Sequence, residues 1–138
     1  LLDECGMPGV ADGLLPLARL CLRVWRGQPA CFPDDTDWGP YQAWARPWWL
    51  IAGGQMPAAR DALRRCPAPP PGLLAEALWS LTARAALVLD DRVRAGQARD
   101  ALRPAAAEIA GAASGMLTAG PVSECLAELD QQWARWGP

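Results

Sequence analysis

Apolar residues recur along most of this chain at spacings of three and four, the period of one face of an α-helix, and the breaks fall at proline and glycine. The first such stretch covers residues 10–26, with Leu14, Leu17, Ala18, Cys21, Leu22 and Trp25 in register and Gly27 as its stop. Pro16 lies in its first two turns, where a missing amide donor is best tolerated. Residues 1–9, with Gly6, Pro8 and Gly9, read as a frayed lead-in. Residues 28–37 read as a loop broken by Pro29 and Pro33, and Asp37 at its end is suited to cap the next helix.

A second helix is predicted over 38–52, with Pro40 in its first turn, Gly53-Gly54 as terminator, and a kink or late start at Pro47. A short helix over 57–65 is closed by the proline-rich run 66–72, a stiff connector. Residues 73–89 place Leu74, Ala77, Leu78, Leu81, Ala85 and Val88 on one apolar face, and Asp90-Asp91 ends it. A fifth helix over 93–110 is bent or restarted at Pro104, and the run 111–115 ends it. Gly120-Pro121 opens the last, Val122–Trp136. Short connections force antiparallel neighbours, so the pattern predicts an all-α fold of about six helices paired as hairpins.

The hexapeptide Ala59-Arg-Asp-Ala-Leu-Arg64 recurs unchanged as Ala98-Arg-Asp-Ala-Leu-Arg103, 39 residues on. Each copy follows an apolar helix and a polar turn. A helix-turn-helix unit of this period predicts a tetratricopeptide-like, right-handed solenoid, in which each hairpin is too small to bury its own apolar stripe and leans on the next. Ala59, Ala62 and Leu63 share one stripe, as do Ala98, Ala101 and Leu102, with the Arg and Asp of each copy directed to solvent.

Composition narrows the chemistry. Ala, Leu and Arg dominate and β-branched residues are sparse, which favours helix over sheet. No lysine, histidine or asparagine occurs, so all 13 positive charges are arginine. An imidazole base, a histidine metal ligand, a phosphate-loop lysine and a Schiff-base amine are all excluded, and the chain is expected to be non-catalytic and to need no cofactor. A net charge of −2 gives no attraction for nucleic acid or anionic lipid. No apolar run spans a bilayer, so neither a membrane nor a nucleic-acid partner is expected, and a cytoplasmic location is. The cysteines are five, an odd number without a Cys-x-x-Cys pair, and read as small buried apolar residues rather than a disulfide framework or zinc site. Cys31, beside a loop, is the candidate reactive thiol.

The run Arg99 through Val122 carries a distinctive arrangement: Leu102, Pro104, then Gly111, Ser114 and Gly115 in a Gly-Ala-Ala-Ser-Gly turn, Leu117, and Gly120-Pro121-Val122 opening the next helix. It resembles the C-terminal tetratricopeptide-like region of large actinobacterial transcriptional regulators of the ATPase-containing LuxR type and the SARP/AfsR type. Upstream, Trp49 through Leu63 resembles the preceding hairpin of the same proteins. The chain departs from that pattern at Ala105, where an aromatic is usual, and at Cys125, where His or Tyr is common. The resemblance implies a single helical-repeat domain, residues 1–138, as part of a larger regulator. Its role would be sensing or scaffolding, with no catalytic residue to carry over, and its partner a protein: another domain of the regulator or a separate chain.

Tyr41, Trp44 and Trp48 fall on shared helical faces while Trp49 points elsewhere. Together with Trp79 they are the candidate ligand-binding residues, either as an aromatic groove in the Trp38 to Trp49 region that anchors a protein segment, along with the concave face of the array, or, through Trp44, Trp48 and Trp79, as the wall of a closed pocket for a small apolar molecule. Packing in the core is the competing role for the same side chains. Asp34, Asp35 and Asp37 lack the ligand spacing of a hard-cation loop and read as a solvated loop and cap. Glu76, Glu108, Glu124 and Glu128 are the carboxylates expected to face neighbouring helices. Trp133 and Trp136 form an apolar tip that would serve, if exposed, as a homodimer or next-repeat contact.

Overall fold

The computed structural model describes residues 13–137. These residues form six α-helices: α1 Leu14–Trp25, α2 Gln42–Ala52, α3 Met56–Arg65, α4 Ala75–Leu89, α5 Arg92–Leu102 and α6 Val122–Trp136. Single 3₁₀ turns lie at Gly39–Tyr41, Arg103–Ala105 and Ala112–Ser114. The predicted start of the first helix, residues 10–12, and the lead-in before it lie outside the described residues, as does Cys5.

Two hairpins dominate the packing, α2 with α3 and α4 with α5. Their turns follow from backbone hydrogen bonding at helix ends. Behind α2, Gln55 N–H donates to the Leu50 carbonyl (2.9 Å) and Gly54 N–H to that of Ile51 (3.0 Å), with Gly54 at φ +73°. Behind α4, Asp90 takes the left-handed position at φ 55°, and Asp91 then caps α5 by accepting from the Arg94 N–H (3.0 Å).

The hairpins are joined in a regular manner. Helix α4 packs on both α2 and α3 of the hairpin before it, and α6 packs on both α4 and α5. Helix α4 is thereby enclosed, and Ser80, Thr82 and Arg84 are buried along with Ala77, Leu78, Leu81, Ala85, Ala86 and Leu89. The single apolar face predicted for it understates this, and Val88, assigned to that face, is exposed. Buried Arg84 is satisfied by donating from Nε to Glu128 (3.0 Å) and from Nη1 to the Ala119 carbonyl (3.3 Å), pinning α4 to α6.

In α1, Leu14, Leu17, Leu20 and Cys21 are buried, and the helix packs on α4 and on the 3₁₀ turn at Gly39–Tyr41. Its last residue, Trp25, donates from Nε1 to Glu124 on α6 (3.0 Å). The indole sits so close to Gly120 that a Cβ there would lie 2.5 Å from Nε1.

The first hexapeptide copy lies on the second helix of its hairpin and the second copy does so up to Leu102, with Ala59, Leu63, Ala98 and Leu102 buried. The equivalence is partial. Ala62 is buried and Ala101 exposed, and the second helices begin at Met56 and Arg92, 36 residues apart rather than 39. The charged positions lie largely at the surface as predicted, with Arg60, Arg64, Asp100 and Arg103 exposed, while the leading arginines also bond to a later helix: Arg60 donates to the Leu89 carbonyl (3.3 Å), and the half-buried Arg99 pairs with Asp130 of α6 (2.9 Å).

The helix predicted over 93–110 is corrected: α5 ends at Leu102. Pro104 has no amide hydrogen and its ring crowds the carbonyl four residues back, so the chain passes into a 3₁₀ turn and leaves the helix axis. Residues after it form a short antiparallel clasp, with Ala110 N–H donating to Gly120 (2.9 Å) and Val122 N–H to Glu108 (3.0 Å). The Gly-Ala-Ala-Ser-Gly turn closes this clasp. Gly111 adopts φ +81° where a Cβ would lie 2.4 Å from Leu117, and Ser114 Oγ donates to the Gly111 carbonyl.

Candidate binding groove

The loop predicted over 28–37 is present, and it folds against the end of α2 to leave a groove of about 640 Å³. Local bonds set the loop's shape. Thr36 Oγ1 donates to the Pro33 carbonyl (2.6 Å), and Asp37 Oδ1 accepts from Gly39 N–H (2.9 Å), so Asp37 caps the 3₁₀ turn as expected. From α1, Arg23 donates to the Pro29 carbonyl (3.2 Å) and lays its guanidinium 5.1 Å from the Phe32 ring centre.

Phe32, Trp38 and Trp49 form the aromatic wall of the groove. Phe32 meets Trp38 edge to face at 5.0 Å, and Trp38 stacks on Trp49 at 6.2 Å with 27° between the planes. Trp38 is buried, while Phe32 and Trp49 are half-buried and keep surface toward the groove. Asp34 and Asp35 also line the groove and are exposed, and neither forms an ion pair with another described residue. The amides of Gln42 and Gln55 and the exposed Cys31 complete its polar edge.

The sequence-predicted aromatic set is placed differently. Trp44 and Trp48 are buried in the core, Tyr41 and Trp79 pack half-buried against that core, and none of the four lines this groove. Trp48 Nε1 donates to the Leu81 carbonyl on α4 (3.1 Å), tying the two hairpins together, whereas the Trp44 indole N–H has no hydrogen-bond partner among the described residues. Trp49 is the residue that turns toward solvent, one position past the core stripe. Its neighbours in the groove, Phe32 and Trp38, come from the loop and its exit, where helical periodicity carries no information.

The thiols, carboxylates and C-terminal tryptophans occupy other surroundings. Cys21, Cys66 and Cys125 are buried, and burial pushes their thiols up to about 12, 11 and 11, with nearby arginine charge offsetting only part of the effect. Glu124 and Glu128 do reach neighbouring helices, through Trp25 and Arg84. The Trp133 and Trp136 tip is half-buried: Trp133 lies under the guanidinium groups of Arg92 and Arg99, at 5.4 and 5.0 Å, and against Gly96. Among the described residues, no group of three or more His, Cys, Asp or Glu gathers as a metal site, and no helix is long and apolar enough to cross a membrane.

Comparison of the chain with protein-family models, curated proteins and solved structures finds no match.

Proposed function

We propose that this chain is a non-catalytic, tetratricopeptide-like helical-repeat domain of a bacterial transcriptional regulator, and that it binds a protein segment in the groove between residues 28–37 and the end of α2. The solenoid reading is supported by the recurrent joining of elements: α4 on α2 and α3, then α6 on α4 and α5. The regulator reading is supported by the Gly111-to-Val122 arrangement and by the close approaches that require glycine at Gly111 and Gly120.

The observation that carries the binding reading is an aromatic surface left uncovered at the groove. Phe32 and Trp49 keep surface that their neighbours could have buried, and half-exposed aromatics beside polar groups are what binding hot spots use. A pocket for a small apolar molecule would need indole walls free of other duties, and Trp44 and Trp48 are taken up by the core.

Panning a random peptide library against the folded domain tests this. The proposal expects selected peptides to bind the native protein, to lose binding in Trp49→Ala, and to keep it in Val93→Ala, a remote exposed position. Failure to select any peptide, or peptides indifferent to Trp49, would refute the groove as the binding site.

A further inference from the structure

We infer that the groove's occupant is a basic segment, anchored by an arginine whose guanidinium lies on Trp49 and turns its remaining N–H donors to Asp34 and Asp35. This rests on reading the chain as an interaction domain and adds the chemistry of the partner.

The ring geometry limits where a ligand can sit. At 6.2 Å and 27°, Trp38 and Trp49 already fill the space between their faces, so a ligand meets outward ring surface at Trp49 and Phe32. Such faces carry the negative side of the aromatic quadrupole and attract a cation within about 6 Å of the ring centre. The loop already holds one contact of this kind, with the Arg23 guanidinium 5.1 Å from Phe32.

Charge points the same way. Asp37 is committed to the Gly39 amide, but Asp34 and Asp35 are exposed at the rim without an ion-pair partner among the described residues. An acidic occupant would be repelled. A wholly apolar one would cover two carboxylates without replacing their water. A cationic side chain satisfies both surfaces at once, and arginine does so better than lysine. Its planar guanidinium stacks flat on an indole and keeps in-plane donors for a carboxylate, whereas an ammonium is compact and strongly hydrated. Gln42 and Gln55 supply neutral donors and acceptors for the backbone on either side.

The test is fluorescence anisotropy with a labelled peptide carrying two arginines in a glycine-serine background, beside versions with citrulline, leucine or glutamate in their place. The inference expects the arginine peptide to bind wild-type protein about tenfold more tightly than the citrulline peptide, and to lose about the same factor in Asp34→Asn/Asp35→Asn and in Trp49→Leu. Asp34→Glu/Asp35→Glu should restore most of the affinity. Far-UV circular dichroism and a urea midpoint matching wild type show that a loss is not unfolding. Equal binding of the arginine and citrulline peptides, or an unchanged affinity in the double Asn variant, overturns the inference. Preference for the leucine or glutamate peptide with dependence on Trp49 also overturns it, while leaving the interaction-domain reading standing. Absence of Trp49-dependent binding by any of the peptides ends both.

Discussion

Replacing Gly120 by alanine should destabilise the fold well beyond what the same change does at Gly54, and the difference measures how closely Trp25 at the end of α1 lies on Gly120, just ahead of α6. Both glycines sit in the left-handed region, at φ +85° and +73°. An L-residue forced there loses roughly 1–2 kcal/mol at either position. Around Gly54 nothing lies within 4 Å of where an added methyl would sit, so that backbone cost is the whole expected effect. At Gly120 the added Cβ would lie 2.5 to 2.6 Å from three atoms of the Trp25 indole, a ring held in place by its hydrogen bond to Glu124. Trp25 lies at the surface and can give way in part, so the clash adds at most the roughly 1–3 kcal/mol of core overpacking, for up to about 5 kcal/mol in all. Urea unfolding followed by far-UV circular dichroism gives both values. In a Trp25→Ala background the excess at Gly120 should vanish, because the clash has gone and the backbone cost remains. Equal losses at the two glycines in the wild-type background, or an excess that survives removal of Trp25, would refute the placement of α1.

Further expectations concern the core and its thiols. Trp48→Leu should cost about 3 kcal/mol or more by urea unfolding, since it removes a large buried side chain and the donor to the Leu81 carbonyl; a loss below about 1 kcal/mol would contradict the core assignment. Cys21, Cys66 and Cys125 have folded-state pKa values raised from the ordinary 9.0 to about 12, 11 and 11, so their contribution is complete below pH 9 and is lost as pH climbs toward the folded values. Each buried thiol then lowers stability by up to about 1.4 kcal/mol per pH unit in that window, and a urea midpoint that stays level from pH 8.5 to 10.5 would contradict their burial. Cys31, exposed at the groove, should be alkylated by iodoacetamide well before those three in peptide-mapped mass spectrometry, and the arginine peptide should slow it.

The sequence and the structure agree where local signals and tertiary demands coincide. Helices α4 and α6 have long, uninterrupted apolar periods, and the loop at 28–37 is punctuated by proline and acidic turn residues, so both were legible. The overrun past Leu102 arose because the residues from Ala105 to Ala110 are good helix formers, while one proline and a clasp with distant residues decided against helix. The enclosure of Arg84 was hidden for a related reason. An arginine on a helix reads as solvent-facing until a partner such as Glu128, 44 residues away, is brought beside it.

The aromatic lining of the groove was half legible. Tryptophans four apart, Trp44 and Trp48, mark one helical face, but that face is the one the core claims first because it buries the most apolar surface. The residue beside the stripe, Trp49, is therefore the one left at the surface. Its partners Phe32 and Trp38 reach it through a loop whose path no periodicity encodes. A half-buried aromatic just off a core stripe, next to an acidic loop carrying further aromatics, is the signal that would have found the groove.

Assigned indole N–H resonances offer the most direct test of the proposed binding groove. On titration with the arginine peptide, the signals of Trp38 and Trp49 should shift progressively, while that of Trp48, bonded to Leu81 inside the core, should hold still. Movement of Trp44 and Trp48 with Trp38 and Trp49 unchanged would place the binding surface elsewhere and contradict the groove.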